Sequence, residues 1–87
     1  MRETIDETTV GDLAGVRVGM GNMTHGSYDT PDGARQGIIG ALAVPGRVGQ
    51  FVGLDSEIEV DGRLWRVVDI EKEKGKPGSV TLELVTG

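Results

Sequence analysis

The sequence predicts an all-β fold: a small antiparallel barrel or sandwich of about six strands. Three observations lead there. From Ser56 to Val85 apolar and polar residues alternate over long stretches, the period-two pattern of half-buried strands. Asp61-Gly62 interrupts that stretch, and Asp-Gly suits the two-residue hairpin turn, whose central residues both need positive φ. Fifteen glycines occur among 87 residues; each costs about 1 kcal/mol in a helix interior, whereas turns, bulges and coiled strands accommodate them.

The elements follow in chain order. Residues 1–8 are polar, with Ile5 as the single anchor, and are expected to form a flexible N-terminus. Order is expected to begin near Thr9. Val16, Val18 and Met20 alternate with Arg17 and Gly19, which predicts a strand. Gly26, Ser27, Asp29, Pro31, Asp32 and Gly33 then predict a turn or mobile loop joining two strands. From 37 to 44 both alternations are apolar, Ile38, Leu42 and Val44 on one and Ile39, Ala41 and Ala43 on the other. A strand covered on both sides is the reading, given the β-branched isoleucines and the glycines. Pro45-Gly46 ends it, and Phe51-Val52 is a short apolar piece before the hairpin.

The hairpin register can be written down. A two-residue turn at Asp61-Gly62 sets Val60 opposite Arg63 and Ile58 opposite Trp65, so Ile58, Val60, Trp65 and Val67 share a face. Leu64, Val68 and Ile70 then fall on the other face. A bulge near Val67-Val68 is expected to return Val68 and Ile70 to the side of Trp65. In the last strand Val80, Leu82 and Leu84 point inward, and Thr81 and Glu83 outward. Trp65, one of three aromatic residues, is expected at the centre of the core.

Length, charge and composition narrow the function. The chain is expected to form one β-domain over 1–87, with a thin core. Cysteine is absent, so no disulfide framework or thiolate metal site supplements that core. The net charge is −5 and the arginines are scattered, which argues against a nucleic-acid partner. Lys72, Lys74 and Lys76 are interleaved with Glu71 and Glu73 and read as a solvated turn. No apolar run reaches the length of a membrane span and the first residues are acidic and polar, so no membrane partner and a cytoplasmic location are expected.

Chemistry concentrates in one place. His25, the single histidine, stands near Ser27, Tyr28 and Asp29, residue types that serve acid–base and nucleophilic catalysis. A catalytic triad, however, draws its geometry from distant parts of a fold, and four near neighbours in a glycine-rich segment read as polar turn residues. One His and no Cys give no zinc set, and the position eleven residues after Asp29, where a calcium loop carries its bidentate Glu, is Gly40. Gly19 and Gly21 precede a Gly, Ser and Pro segment where a dinucleotide fingerprint requires a helix. No metal, no cofactor and no catalytic residue is therefore assigned. His25, Tyr28, Asp29 and Trp65 are the candidate ligand-binding residues.

The segment Val-Asp-Gly-Arg-Leu-Trp-Arg-Val-Val-Asp-Ile (60–70), followed by Ser-Val-Thr-Leu-Glu-Leu-Val (79–85), resembles the C-terminal half of small β-rich actinobacterial proteins of unknown function. That resemblance covers about a third of the chain and implies a compact β-domain; it implies no activity and no functional residue. The functional expectation is a non-catalytic protein-interaction or scaffolding module, self-associating or a subunit of a larger assembly. The alternative is a small-molecule-binding barrel in which the 21–34 loop is a lid over a pocket beside Trp65.

Overall fold

Two tight turns set the antiparallel order. Ala14-Gly15 has φ of 51° and 89°, and Asp61-Gly62 has φ of 52° and 77°, the doubly positive geometry whose twist matches that of the flanking strands. The computed structural model describes Met1–Thr86, and its eight strands form two four-stranded antiparallel sheets. In order they are β1 (Arg2–Asp6), β2 (Thr9–Leu13), β3 (Val16–Thr30), β4 (Gly33–Ala43), β5 (Gln50–Val52), β6 (Glu57–Val60), β7 (Arg63–Glu71) and β8 (Ser79–Thr86). The first sheet runs β1-β8-β7-β6 and the second β2-β3-β4-β5.

The all-β fold class agrees with the sequence, and so does the hairpin register: Val60 pairs with Arg63 and Ile58 with Trp65. The bulge is present as well, since Val67 pairs with Leu82 but Asp69 with Thr81. Val68 is the extra residue and stays half-buried, while Ile70 packs against the core. Only Ile70, therefore, gains the inward position that was expected of both.

Three expectations are corrected. The strands number eight where about six were expected. The N-terminus is a strand: Arg2 to Asp6 pair with Glu83 to Ser79, and Ile5 is 1% exposed, because one well-placed isoleucine and a ladder of backbone bonds suffice to hold five residues. The segment read as a loop at 26–33 is a hairpin, in which β3 continues to Thr30 and β4 starts at Gly33. Its two glycines serve different ends: Gly33 takes a φ of 121° as the chain leaves the turn, and Gly26 serves packing. A Cβ on Gly26 would lie 2.8 Å from Ile39 Cδ1, so the strand has room for no side chain there.

Trp65 lies at 0% exposure among Ile5, Leu13, Val18, Met20, Leu42, Val52, Val60, Val67, Val80 and Leu82. Burying a surface on the order of 200 Å² contributes about 5 kcal/mol. Its indole Nε1 has no hydrogen-bond partner among the described residues, which withdraws about 1–3 kcal/mol. Packing wins.

Two polar side chains join the sheets. Glu7, in the turn after β1, accepts hydrogen bonds from Lys72 Nζ at 2.6 Å, Met23 N–H at 2.8 Å and Gly78 N–H at 3.0 Å. The Lys72 bond first, and then the Met23 and Gly78 amides, lower its carboxyl to a pKa of about 2. Ser56, 2% exposed, is the other joint. Its Oγ accepts from Gly53 N–H at 3.0 Å and donates to the Asp29 carbonyl at 2.9 Å. Its own carbonyl accepts from Val67 N–H at 2.9 Å, so the far end of β3 is fastened to the first sheet through one residue.

Candidate functional site

The four residues singled out in the sequence do not meet. Trp65 is enclosed in the core on β7. Tyr28 is buried near the far end of β3, its ring over Gly37 and against Gly53, where a Cβ would come within 2.5 Å of the ring. His25 is exposed and opposite Ile38, and strand alternation puts it on the face opposite Tyr28. Asp29 is exposed, with its carbonyl held by Ser56. Among the described residues no three His, Cys, Asp or Glu side chains gather around a position for a metal ion.

The lid expectation is corrected along with the loop. Residues 21–30 are strand, residues 33–34 begin the next one, and only Pro31-Asp32 turn between them. A paired hairpin lacks the free backbone of a lid. The hollow near it is an open groove of about 390 Å³ lined by Ser27, Tyr28, Asp29, Gln50, Phe51 and Glu57. Trp65 takes no part in that lining, so the expected pocket beside the indole gives way to a surface groove on another element.

The outer surfaces of the two sheets differ more than any hollow does. Across the first sheet the register sets Glu57 opposite Arg66, Arg66 opposite Glu83 and Glu83 opposite Arg2. Charges alternate along that row. Arg66 meets Glu57 at 2.8 Å and Arg2 meets Glu83 at 3.1 Å, and the Glu57 carboxylate raises the Arg66 pKa further. In the neighbouring row Thr4 and Thr81 share a hydroxyl hydrogen bond of 2.9 Å. This is a solvated, internally satisfied surface.

Across the second sheet the outward rows are Val10, Gly19 and Ala43, then Gly21, Ala41 and Phe51, then Thr24 and Ile39, then Gly26 and Gly37. No charged residue stands on it between Arg17 and Arg35. Val10 is 60% exposed and Phe51 58%. Ile39 is buried although it lies outside the main core cluster, in the space that Gly26 leaves open. Glycine and alanine occupy most of this surface, and its large side chains are aliphatic or aromatic. At one end Arg35 reaches Asp55 at 2.6 Å and Asp32 at 3.8 Å, a charged rim to an uncharged face.

Edges differ in the same sense. The outer edge of β6 carries Glu57 and Glu59, and the Arg47 guanidinium donates to the Glu59 carbonyl, two of the means by which sheets discourage pairing with other chains. The far half of β3, from Thr24 to Tyr28, has no charged side chain and only β4 beside it.

Sequence reasoning missed Val10, Phe51, Glu7 and Ser56 as functional or structural residues. For the apolar face a signal existed: the second alternation of the 37–44 run, Ile39, Ala41 and Ala43, is apolar where a water-facing strand would carry polar residues. For Glu7 and Ser56 no local signal exists, because their partners lie up to 71 residues away. No family model, curated protein or solved structure matches this chain.

Proposed function

We propose that this protein is a non-catalytic protein-interaction module that self-associates, alone or as a subunit of a larger assembly, through the outer side of its second sheet. One observation carries the reading: the uncharged surface exposing Val10 and Phe51 backs onto a first sheet whose outer surface is charge-paired. Contiguous apolar surface on a small soluble domain marks an interaction site more often than scattered apolar residues do. The thin core supports the same reading, since a chain of 87 residues leaves much of its surface in water and a second layer over an apolar sheet face is how such faces are ordinarily covered. A cytoplasmic setting belongs to this reading, supported by a sequence without cysteine.

Sedimentation equilibrium from about 1 μM to about 1 mM tests it. The expected outcome is a mass that rises with concentration toward a defined multiple of the protomer. A single protomer mass across the whole range would overturn self-association.

A further inference from the structure

Three hollows open on the surface of the described residues, and one of them is chemically unlike the others. The hollow of about 340 Å³ at the 71–79 turn includes Lys72 and Lys76, and that of about 330 Å³ beside the β3–β4 turn includes Arg66. The groove of about 390 Å³ lined by Ser27, Tyr28, Asp29, Gln50, Phe51 and Glu57 includes no cation. It brings together two carboxylates and two of the chain's three aromatic residues. Its volume lies in the range that takes a small molecule or one large side chain.

The walls of this groove are held from behind. They come from β3, β5 and β6. Ser56, 2% exposed, ties two of them, since its Oγ accepts from Gly53 N–H just after β5 and donates to the Asp29 carbonyl on β3. Tyr28 is 8% exposed, and its ring lies where a Cβ on Gly53 would come within 2.5 Å. The Tyr28 hydroxyl takes no part in the side-chain hydrogen bonds of the described residues. A nearly enclosed polar group without a partner, on the lining of a groove, is one that a ligand satisfies.

The cations nearest the groove are committed elsewhere. Arg35, opposite Tyr28 in register, reaches Asp55 at 2.6 Å and Asp32 at 3.8 Å. Arg66 places both of its bonds to Glu57 on Oε2, at 2.8 and 3.3 Å, which leaves Oε1 unengaged. Asp29 has no ion-pair partner among the described residues. We propose that this groove binds an organic cation, an ammonium or guanidinium carried on apolar carbons, with its charge between Asp29 and Glu57 and its carbons against Phe51. Aromatic faces attract such cations through the ring quadrupole, and carboxylates without an internal cation complement their charge. An anion is opposed by both carboxylates and by the net charge of −5. The site is complete within one protomer, so its occupancy does not require self-association. The same head group has two sources, a free small molecule or a lysine or arginine of another protein.

Amide chemical shifts of the unaltered chain, followed below the concentration at which it associates, test the proposal. Choline and methylguanidinium, each titrated to about 50 mM, are expected to shift Ser27, Asp29, Gln50 and Phe51 along one saturating curve. The uncharged tert-butyl analogue of choline is expected to bind at least about tenfold more weakly. Phe51→Leu keeps apolar surface and loses the ring, and should weaken both cations by about fivefold; Asp29→Asn should do so by about threefold. Both side chains are exposed, so the thermal transition should stay in place. A short peptide with one central arginine that binds at least about tenfold tighter than methylguanidinium would support the site with a protein side chain as its source; equal or weaker binding would support it with a free small molecule. Shifts that never saturate, or that spread alike over all the surface carboxylates, would overturn the proposal, as would equal binding of the uncharged analogue. Since these readings are taken on the protomer, they stand or fall apart from the sedimentation result.

Discussion

The two sheets of this protein solve the same problem differently. Each has one side packed around Trp65 and one side turned away from it. On the first sheet that outer side carries the row Glu57, Arg66, Glu83, Arg2, and its β6 edge is occupied by Arg47. On the second it carries Val10, Gly19, Ala43, Ala41 and Phe51, and its β3 edge is unpaired. One half of the molecule pairs its outer charges; the other turns an uncharged face outward. The difference teaches that two sheets sharing one small interior can diverge on their outer sides, and that the divergence lies as much in what the residues lack, charge above all, as in what they offer.

Substitutions at the joints break this comparison most. Ser56→Ala removes the acceptor of Gly53 N–H and the donor to the Asp29 carbonyl in a buried place, and is expected to cost about 1–3 kcal/mol in denaturant unfolding. Exchange should quicken in the β3–β4 hairpin while the β7–β8 ladder stays protected, because only the open half loses its fastening.

Glu7→Gln acts on the other joint and is expected to be pH-dependent. The folded-state pKa of about 2 lies below the ordinary 4.5. The carboxylate therefore contributes stability that is fully present above about pH 4.5 and is lost as pH falls through about 2. Thermal melts should show the wild type above the variant at pH 7, with the gap closing between pH 4.5 and 2. A gap of constant size across that window would show that charge is not what Glu7 contributes.

The two outer surfaces themselves call for smaller numbers, and their contrast sharpens the comparison. Arg66→Ala opens a pair that water screens, its side chain being 45% exposed, and should cost about 0.2–1 kcal/mol in stability. Phe51→Lys places a charge on the open face and should change stability by less than about 0.5 kcal/mol, since the ring is mostly in water. A large loss on Phe51→Lys would mean that the ring supports the fold of the single chain, and would count against the function proposed above.

Most of the charge-paired half was legible in the sequence. Its turn is Asp-Gly, its strands alternate cleanly, and Trp65 had one place to go; the pairing of Ile58 with Trp65 and the bulge after Val67 follow from those local facts. The open half was less legible for physical reasons that can be named. Thr8 turns the chain between β1 and β2 with φ of 60°, in a residue type that gives no turn signal, so β1 has no signature in its local sequence. Gly26 reads as a loop residue because composition does not reveal that Ile39 fills the place of its missing side chain. Of the candidate ligand-binding residues, Trp65 is enclosed in the core, the place its bulk predicts and one closed to a ligand. His25, Tyr28 and Asp29 lie on one strand but on alternating sides of it, and the hydrogen bonds that make the His25 edge distinctive depend on Glu7 and Ser56, far away in sequence.

Trp65 also makes the molecule its own optical gauge. As the sole indole, packed where no solvent enters, it gives native protein a blue-shifted emission that iodide does not quench, and any opening of the joint between the sheets shifts that emission to the red. Folding and acid response are thus readable in one channel, on the unlabelled chain.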